Sequence, residues 1–306
     1  MEDIKETNNK KQNSGNKFNV ILYILIIIGL MSVIGWFGFN YFQDKKIREF
    51  VKMESNDLNL VIQKMNVLNI KGESGNKEVT ELVKDKEEEL LRITEVLDTI
   101  FLVRNKKKEA SDKEIIELNN EIDEFYKDLE IAVKEYQGVA SYNYEGLKIT
   151  EPFARQLVSL LTVLEMIQNN EDLNSDKVKE ILVASQTTFD QVYTQLKEIE
   201  APEKLKAKHA GDLEQFERFS RRMNLMMESY NASDYQKAGD YLYSIGELAK
   251  ELAGKDKKNW RKEYYGDMMV EFERLNDKAN EIKIKLEYLN NEVKGNMEEV
   301  EVKEWV

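Results

Sequence analysis

The 306-residue chain has no cysteine, one histidine, two prolines and fourteen glycines. Without cysteine there is no disulfide framework, no thiolate zinc site and no cysteine nucleophile. The single histidine, His209, excludes any ligand set that needs two. A di-iron carboxylate bundle, which places Glu-x-x-His on each of two helices, therefore cannot be built. Average usage would give about 15 prolines and about 21 glycines in a chain of this length. Such a shortage of turn formers argues for long helices with short connections and against a sheet-rich fold. Aromatic residues make up 9% of the chain and charged residues 34%, a balance close to that of disordered segments, yet 42% of the residues are hydrophobic. Their regular spacing marks a folded chain. Acids outnumber bases, 58 to 45. Against that background the small basic clusters Lys106–Lys108 and Arg221-Arg222 offer no nucleic-acid surface. No G-x-S-x-G, phosphate-loop or dinucleotide glycine pattern is present.

One stretch lacks charge altogether. From Phe18 to Gln43 there is no ionisable side chain of either sign, and Val20 to Phe39 reads VILYILIIIGLMSVIGWFGF. About 20 apolar residues at 1.5 Å each match a hydrocarbon core of roughly 30 Å. Trp36, Tyr41 and Phe42 fall toward one end, where aromatic rings favour the membrane interface. The pattern predicts a transmembrane helix over residues 18–42, entered at Phe18 and Val20. A cleaved signal peptide has a shorter apolar region followed by a small-x-small site; here GWFGFNYF follows instead.

The flanking charges tie: Lys5, Lys10, Lys11 and Lys17 stand on one side, and Lys45, Lys46, Arg48 and Lys52 on the other. A long domain crosses largely regardless of local charge, and a short polar tail suits a signal-anchor. The expectation is a cytoplasmic tail over residues 1–17 and an extracytoplasmic domain over 43–306. In kind, this resembles the helical ectodomains that many bacteria anchor by one N-terminal span, although no motif ties the chain to a particular family.

After the anchor, apolar residues recur every three or four positions in eight segments. The first runs from Ile47 to Leu68 and is interrupted at Glu54; the second, from Val79 to Ile100, is interrupted at Lys86. The third is unbroken: Ile115, Leu118, Ile122, Phe125, Leu129, Ala132, Tyr136, Val139. Ser111-Asp112-Lys113-Glu114 opens it as a capping box. SYNYEGLKIT (Ser141–Thr150) loses the period and reads as a linker. Pro152 then opens the fourth segment, where its missing N–H costs little. The fifth follows Asn174-Ser175-Asp176, the sixth follows Ala201-Pro202, and the seventh opens at Ser233-Asp234-Tyr235-Gln236. The eighth is the most regular, with Tyr265, Met268, Phe272, Leu275, Ala279, Ile282, Leu286, Leu289 and Val293 forming a coiled-coil-like seam.

The fold class expected is all-α: one transmembrane helix, then an elongated antiparallel helical bundle of about eight helices in two stacked bundles. Residues 43–140 and 255–295 form the membrane-proximal bundle, residues 141–254 a distal four-helix bundle, and residues 296–306 a flexible C-terminal tail.

Chemistry is scarce. His209 sits among Leu205, Leu213 and Phe216 and reads as a hydrogen-bonded histidine at the edge of a bundle. Acidic runs such as Glu87-Glu88-Glu89 and Glu298-Glu299 lack a calcium-loop pattern and read as solvated helix faces. No catalytic residue, metal ligand or cofactor-binding residue emerges, so no enzyme is expected. Met223, Met227, Tyr230, Tyr235, Tyr241 and Tyr243 combine adaptable and amphipathic side chains and form a candidate interaction surface. The expected function is a membrane-anchored, non-enzymatic helical protein that binds a protein partner, associates with itself or scaffolds an envelope assembly. The alternative is a ligand-sensing ectodomain that signals through a membrane partner.

Overall fold

The computed structural model describes residues 42–66, 68, 79–106, 113–168, 176–255 and 260–303. Apart from Phe42, the segment 18–42 expected to be a transmembrane helix lies outside them, as do the expected tail 1–17, Phe18, Val20 and Trp36. Among the described residues no helix is long and apolar enough to cross a membrane.

The described chain is a helical bundle without strands. Its seven α-helices are α1 (42–66), α2 (Val79–Arg104), α3 (Lys113–Gln168), α4 (Asp176–Glu198), α5 (Lys206–Asn231), α6 (Tyr235–Lys255) and α7 (Trp260–Lys303), with a 3₁₀ turn at Glu203–Leu205 before α5. One helix fewer than expected is present because Ser141–Thr150 is not a linker. α3 runs unbroken for 56 residues with Pro152 inside it rather than in its first turn. The Gly, Asn and Tyr content that suggests a loop is overridden by packing: Tyr142, near the start of the stretch, and Phe153, just after it, are buried. Thr150 Oγ1 also bonds the Gly146 carbonyl at 2.8 Å, within the helix.

Two expected interruptions are not breaks. Glu54 is fully buried in phase with Val51, Leu58 and Val61, so it occupies a core position of α1. Lys86 is half-buried and ion-paired to Glu89. In α2 the inner face is Ile93, Val96, Ile100 and Val103, which leaves Leu97 half-buried. The α7 seam follows its heptads, with Met268, Phe272, Leu275, Ala279, Ile282, Leu286 and Val293 all buried.

Two compact units are present. The described part of the first comprises residues 42–58, 113–118 and 282–303. Its buried side chains are Phe50, Val51, Leu58, Ile115, Leu118, Ile282, Leu286 and Val293, with the carboxylates Glu54 and Asp57.

The second unit holds two cores. One joins α2, α3 and α7 through Ile93, Ile100, Phe125, Leu129, Val133, Tyr136 and Leu275, with Tyr136 edge-on to Phe272 at 6.1 Å. The other joins the C-terminal part of α3 to α4, α5 and α6. At its centre Phe153 meets the rings of Phe189, Phe216 and Phe219 at 4.5, 4.9 and 4.9 Å. Burying one such side chain contributes about 1.5–3 kcal/mol.

The connection from α5 to α6 is a Schellman turn. Ser233 adopts φ 60°, its N–H reaches the Tyr230 carbonyl at 2.9 Å, and the Asp234 N–H reaches that of Ser229 at 2.9 Å. The left-handed residue satisfies carbonyls that the helix end leaves unpaired. Asp234 then caps α6, its Oδ1 accepting the Lys237 N–H at 3.1 Å. The helix start expected at Ser233 is thus shifted by one residue, and Lys237, at the third helical position, cannot return the bond as a Glu or Gln would. The other two expected starts fall on undescribed residues, Ser111-Asp112 entirely and Asn174-Ser175 up to Asp176.

Candidate functional site

A cavity of about 320 Å³ opens in the second unit, where α3, α7 and the turn before α5 meet. Helical spacing places its residues. On α3, Asp128, Ile131, Ala132 and Glu135 recur at intervals of three and four; on α7, Asp267, Met268, Glu271, Phe272 and Arg274 do the same. Met268 and Phe272 are buried and form an apolar floor, while Ile131 is 60% exposed at the rim. Lys204 enters from the 3₁₀ turn.

The rim is laced with ion pairs. Arg274 engages Glu271 in a two-pronged contact, Nε to Oε2 at 2.9 Å and Nη2 to Oε1 at 2.6 Å. The same Nη2 reaches Asp128 on α3 at 3.4 Å, as does Lys278 Nζ. Lys204 Nζ donates to Glu135 at 2.9 Å. The Arg274 hydrogen bonds hold the Glu271 carboxyl below the ordinary carboxylate range, and Glu271 in turn raises the Arg274 guanidinium. The groove can hold a charged or polar partner group by exchanging these pairs over an apolar floor. Among the described residues its lining contains carboxylates, a Lys and an Arg, without Ser, Thr, Cys, His or Tyr.

Two further polar clusters join α2 to α3. Tyr136, buried, donates its hydroxyl proton to Glu89, which also pairs with Lys86. Glu89 therefore turns inward, contrary to the expected solvated face, while Glu87 and Glu88 are exposed; it faces in because a buried phenol requires a partner. Arg104 reaches Glu130 and, at 3.6 Å, Asp123. The Lys134 hydrogen bond, with help from Arg104, lowers the Glu130 carboxyl.

His209 is half-buried, with Nδ1 at 3.1 Å from the Tyr142 hydroxyl and its ring edge-on to the Tyr142 ring at 5.7 Å. Among the described residues no group of three or more His, Cys, Asp or Glu is arranged to hold a metal ion.

The six residues expected to face a partner are not brought together on a surface. Met223 and Met227 are buried in the four-helix core, alongside Met226, because methionine at helical core spacing is drawn inward to fill it. Tyr230, Tyr235 and Tyr241 are half-buried, the first two edge-on at 5.7 Å. Only Tyr243 of the six is open, at 58%. Sequence reasoning missed the groove. Its traceable signal was the charged ladder Asp267, Glu271, Arg274, Lys278 along one face of α7.

Compared with protein-family models, curated proteins and solved structures, the chain matches none.

Proposed function

We propose that the protein is a single-pass membrane protein, anchored by residues 18–42, whose helical domain lies outside the cytoplasm and recognises a protein partner without catalysing a reaction. The observation that carries this reading is the uncharged run from Phe18 to Gln43, followed directly by a helix rich in charge. A run of that length without a charged side chain is stable in lipid and costly in water. The helices that follow place most of their apolar residues in cores and, Glu54 and Asp57 apart, most of their charges outside, as a domain working in water does.

The groove beside Arg274 is the partner-facing element. Its residues support recognition through exchangeable ion pairs over a small apolar floor, and such pairs set specificity and encounter rate more than raw affinity. Alkaline extraction should leave the chain in the membrane pellet. A photocrosslinking side chain at Ile131 should give a discrete adduct that Arg274→Ala weakens, whereas one at Tyr243 should not. Release into the soluble fraction would refute the anchor, and an Ile131 adduct indifferent to Arg274→Ala would refute the groove.

A second reading rests on the cavity itself: 320 Å³ suits a small molecule, which would make the domain a ligand sensor. A small charged molecule that raises the melting temperature of the wild type but not of Arg274→Ala would favour it, since a ligand bound only to the folded state must stabilise that state.

A further inference from the structure

α3 is one helix, but its middle is built from weak parts. Pro152 has no N–H, so the Lys148 carbonyl receives no helical bond from it, and the proline ring crowds that same carbonyl. Two residues earlier, Thr150 Oγ1 bonds the Gly146 carbonyl at 2.8 Å and approaches that of Leu147 at 3.3 Å. Back-bonding of this kind bends helices. Gly146 has low helix propensity, and a Cβ there would meet nothing within 4 Å, so packing does not demand the glycine. No residue from 143 to 152 is fully buried, whereas Tyr136, Val139, Ala140 and Tyr142 are buried before the stretch and Phe153, Leu160 and Val163 after it. Ten residues of helix thus join two cores without belonging fully to either.

Polar contacts brace the weak stretch at both ends. On the near side Tyr142 meets His209 of α5, and Glu135 meets Lys204 of the turn before α5. On the far side Thr80 of α2 donates to Glu151 at 3.0 Å, and Arg155 also holds Glu151. The contacts of Glu135 and Glu151 lie between exposed groups and are individually weak and exchangeable, whereas Tyr142 is buried against a half-buried His209. We propose that α3 is hinged at residues 146–152, so that the four-helix core around Phe153 tilts as a body and carries Lys204 toward or away from Glu135 at the groove. The Tyr142–His209 contact is the clasp that closes the hinge. The inference stands on the geometry of α3 and its contacts with α2 and α5, and does not depend on the anchor or on any partner.

The absence of cysteine allows clean labelling of the full chain in detergent. Spin labels at Lys127→Cys on α3 and Arg222→Cys on α5, both exposed, report the tilt, while hydrogen exchange reports the hinge. Amides 146–151 should exchange at least about tenfold faster than those of 125–140 and 156–166, and the distance distribution should be broad. Gly146→Ala with Pro152→Ala favours a straight helix and inserts nothing into a packed site. It should narrow the distribution and remove most of the exchange difference. Tyr142→Phe, which keeps the ring, should broaden the distribution further. Equal protection across α3 in the wild type would overturn the hinge, as would a double variant that leaves both readouts unchanged. A Tyr142→Phe distribution identical to wild type would overturn the clasp.

Discussion

The two cores of the second unit are held together by different chemistry. Around Phe153 the contacts are apolar and aromatic, and neutral groups lead among the polar crosslinks, Gln156 to Ser185 at 2.8 Å and Gln186 to Asn224 at 2.7 Å, beside Ser220 on Asp190 and an exposed Arg218–Glu251 pair at 3.6 Å. Around Tyr136 charged groups make the crossings, Lys86 and Glu89 from α2, Arg104 to Glu130, and Arg274 to Asp128. Helices from one chain, with one overall composition, thus build one core crosslinked mainly through neutral groups and another crosslinked mainly through charged ones. The groove lies in the second kind of surroundings, where an incoming charged group finds pairs to exchange.

The largest test of this contrast is Phe153→Ala. It removes the ring at the centre of the aromatic cluster and should cost about 3–5 kcal/mol, equally at low and high salt. Urea unfolding measures it, and a loss under about 1 kcal/mol would contradict the central role of Phe153. Tyr136→Phe should cost less, about 1.5–3 kcal/mol, because the hydrogen bond lost is to a charged group.

Smaller effects sharpen the picture at the α5–α6 turn. Asp234→Ala should lose about 1 kcal/mol with the α6 cap. Ser233→Gly should gain up to about 1 kcal/mol, since glycine takes the φ of 60° without the Cβ penalty. Opposite signs at adjacent residues in thermal melts would bear out the turn geometry, and two losses would contradict it.

The smallest effect is electrostatic. Glu130 and Glu271 lie below their ordinary value of 4.5 in the folded protein, held there chiefly by Lys134 and by Arg274 respectively. A carboxyl depressed on folding adds stability above its unfolded value and loses it as the pH falls through the folded one. The Glu271 side chain is 42% exposed, so water and salt screen much of the effect. The stability difference between wild type and Glu271→Gln should therefore be present at pH 6 and fade toward pH 3, and it should be reduced in high salt. A difference that grows on acidification would reverse the assignment.

Much of the fold is legible in the periodicity. The α7 seam from Met268 to Val293 and the α3 seam from Ile115 to Val139 follow from spacing alone, because a helix buried along one stripe needs nothing else. Glu54 was misread as an interruption because a charge at a core position looks like a break until the core is seen to accept it. The stretch 141–150 was misread because its composition favours a loop, while Tyr142 and Phe153, at its two edges, keep it helical. The groove was legible only in part. Glu271 and Arg274 lie three apart on one helix, but the approach of Arg274 to Asp128, 146 positions away, is a product of packing. The methionines misled for the opposite reason: their spacing was visible, and it signalled a core rather than a surface.

The account as a whole turns on which side of a membrane the helical domain occupies. Protease added to intact cells measures this directly, with permeabilised cells as the control. The account predicts that the domain beyond residue 43 is digested in intact cells and that a short fragment containing residues 18–42 stays with the membrane. A chain left whole in intact cells and cut only after permeabilisation would contradict it.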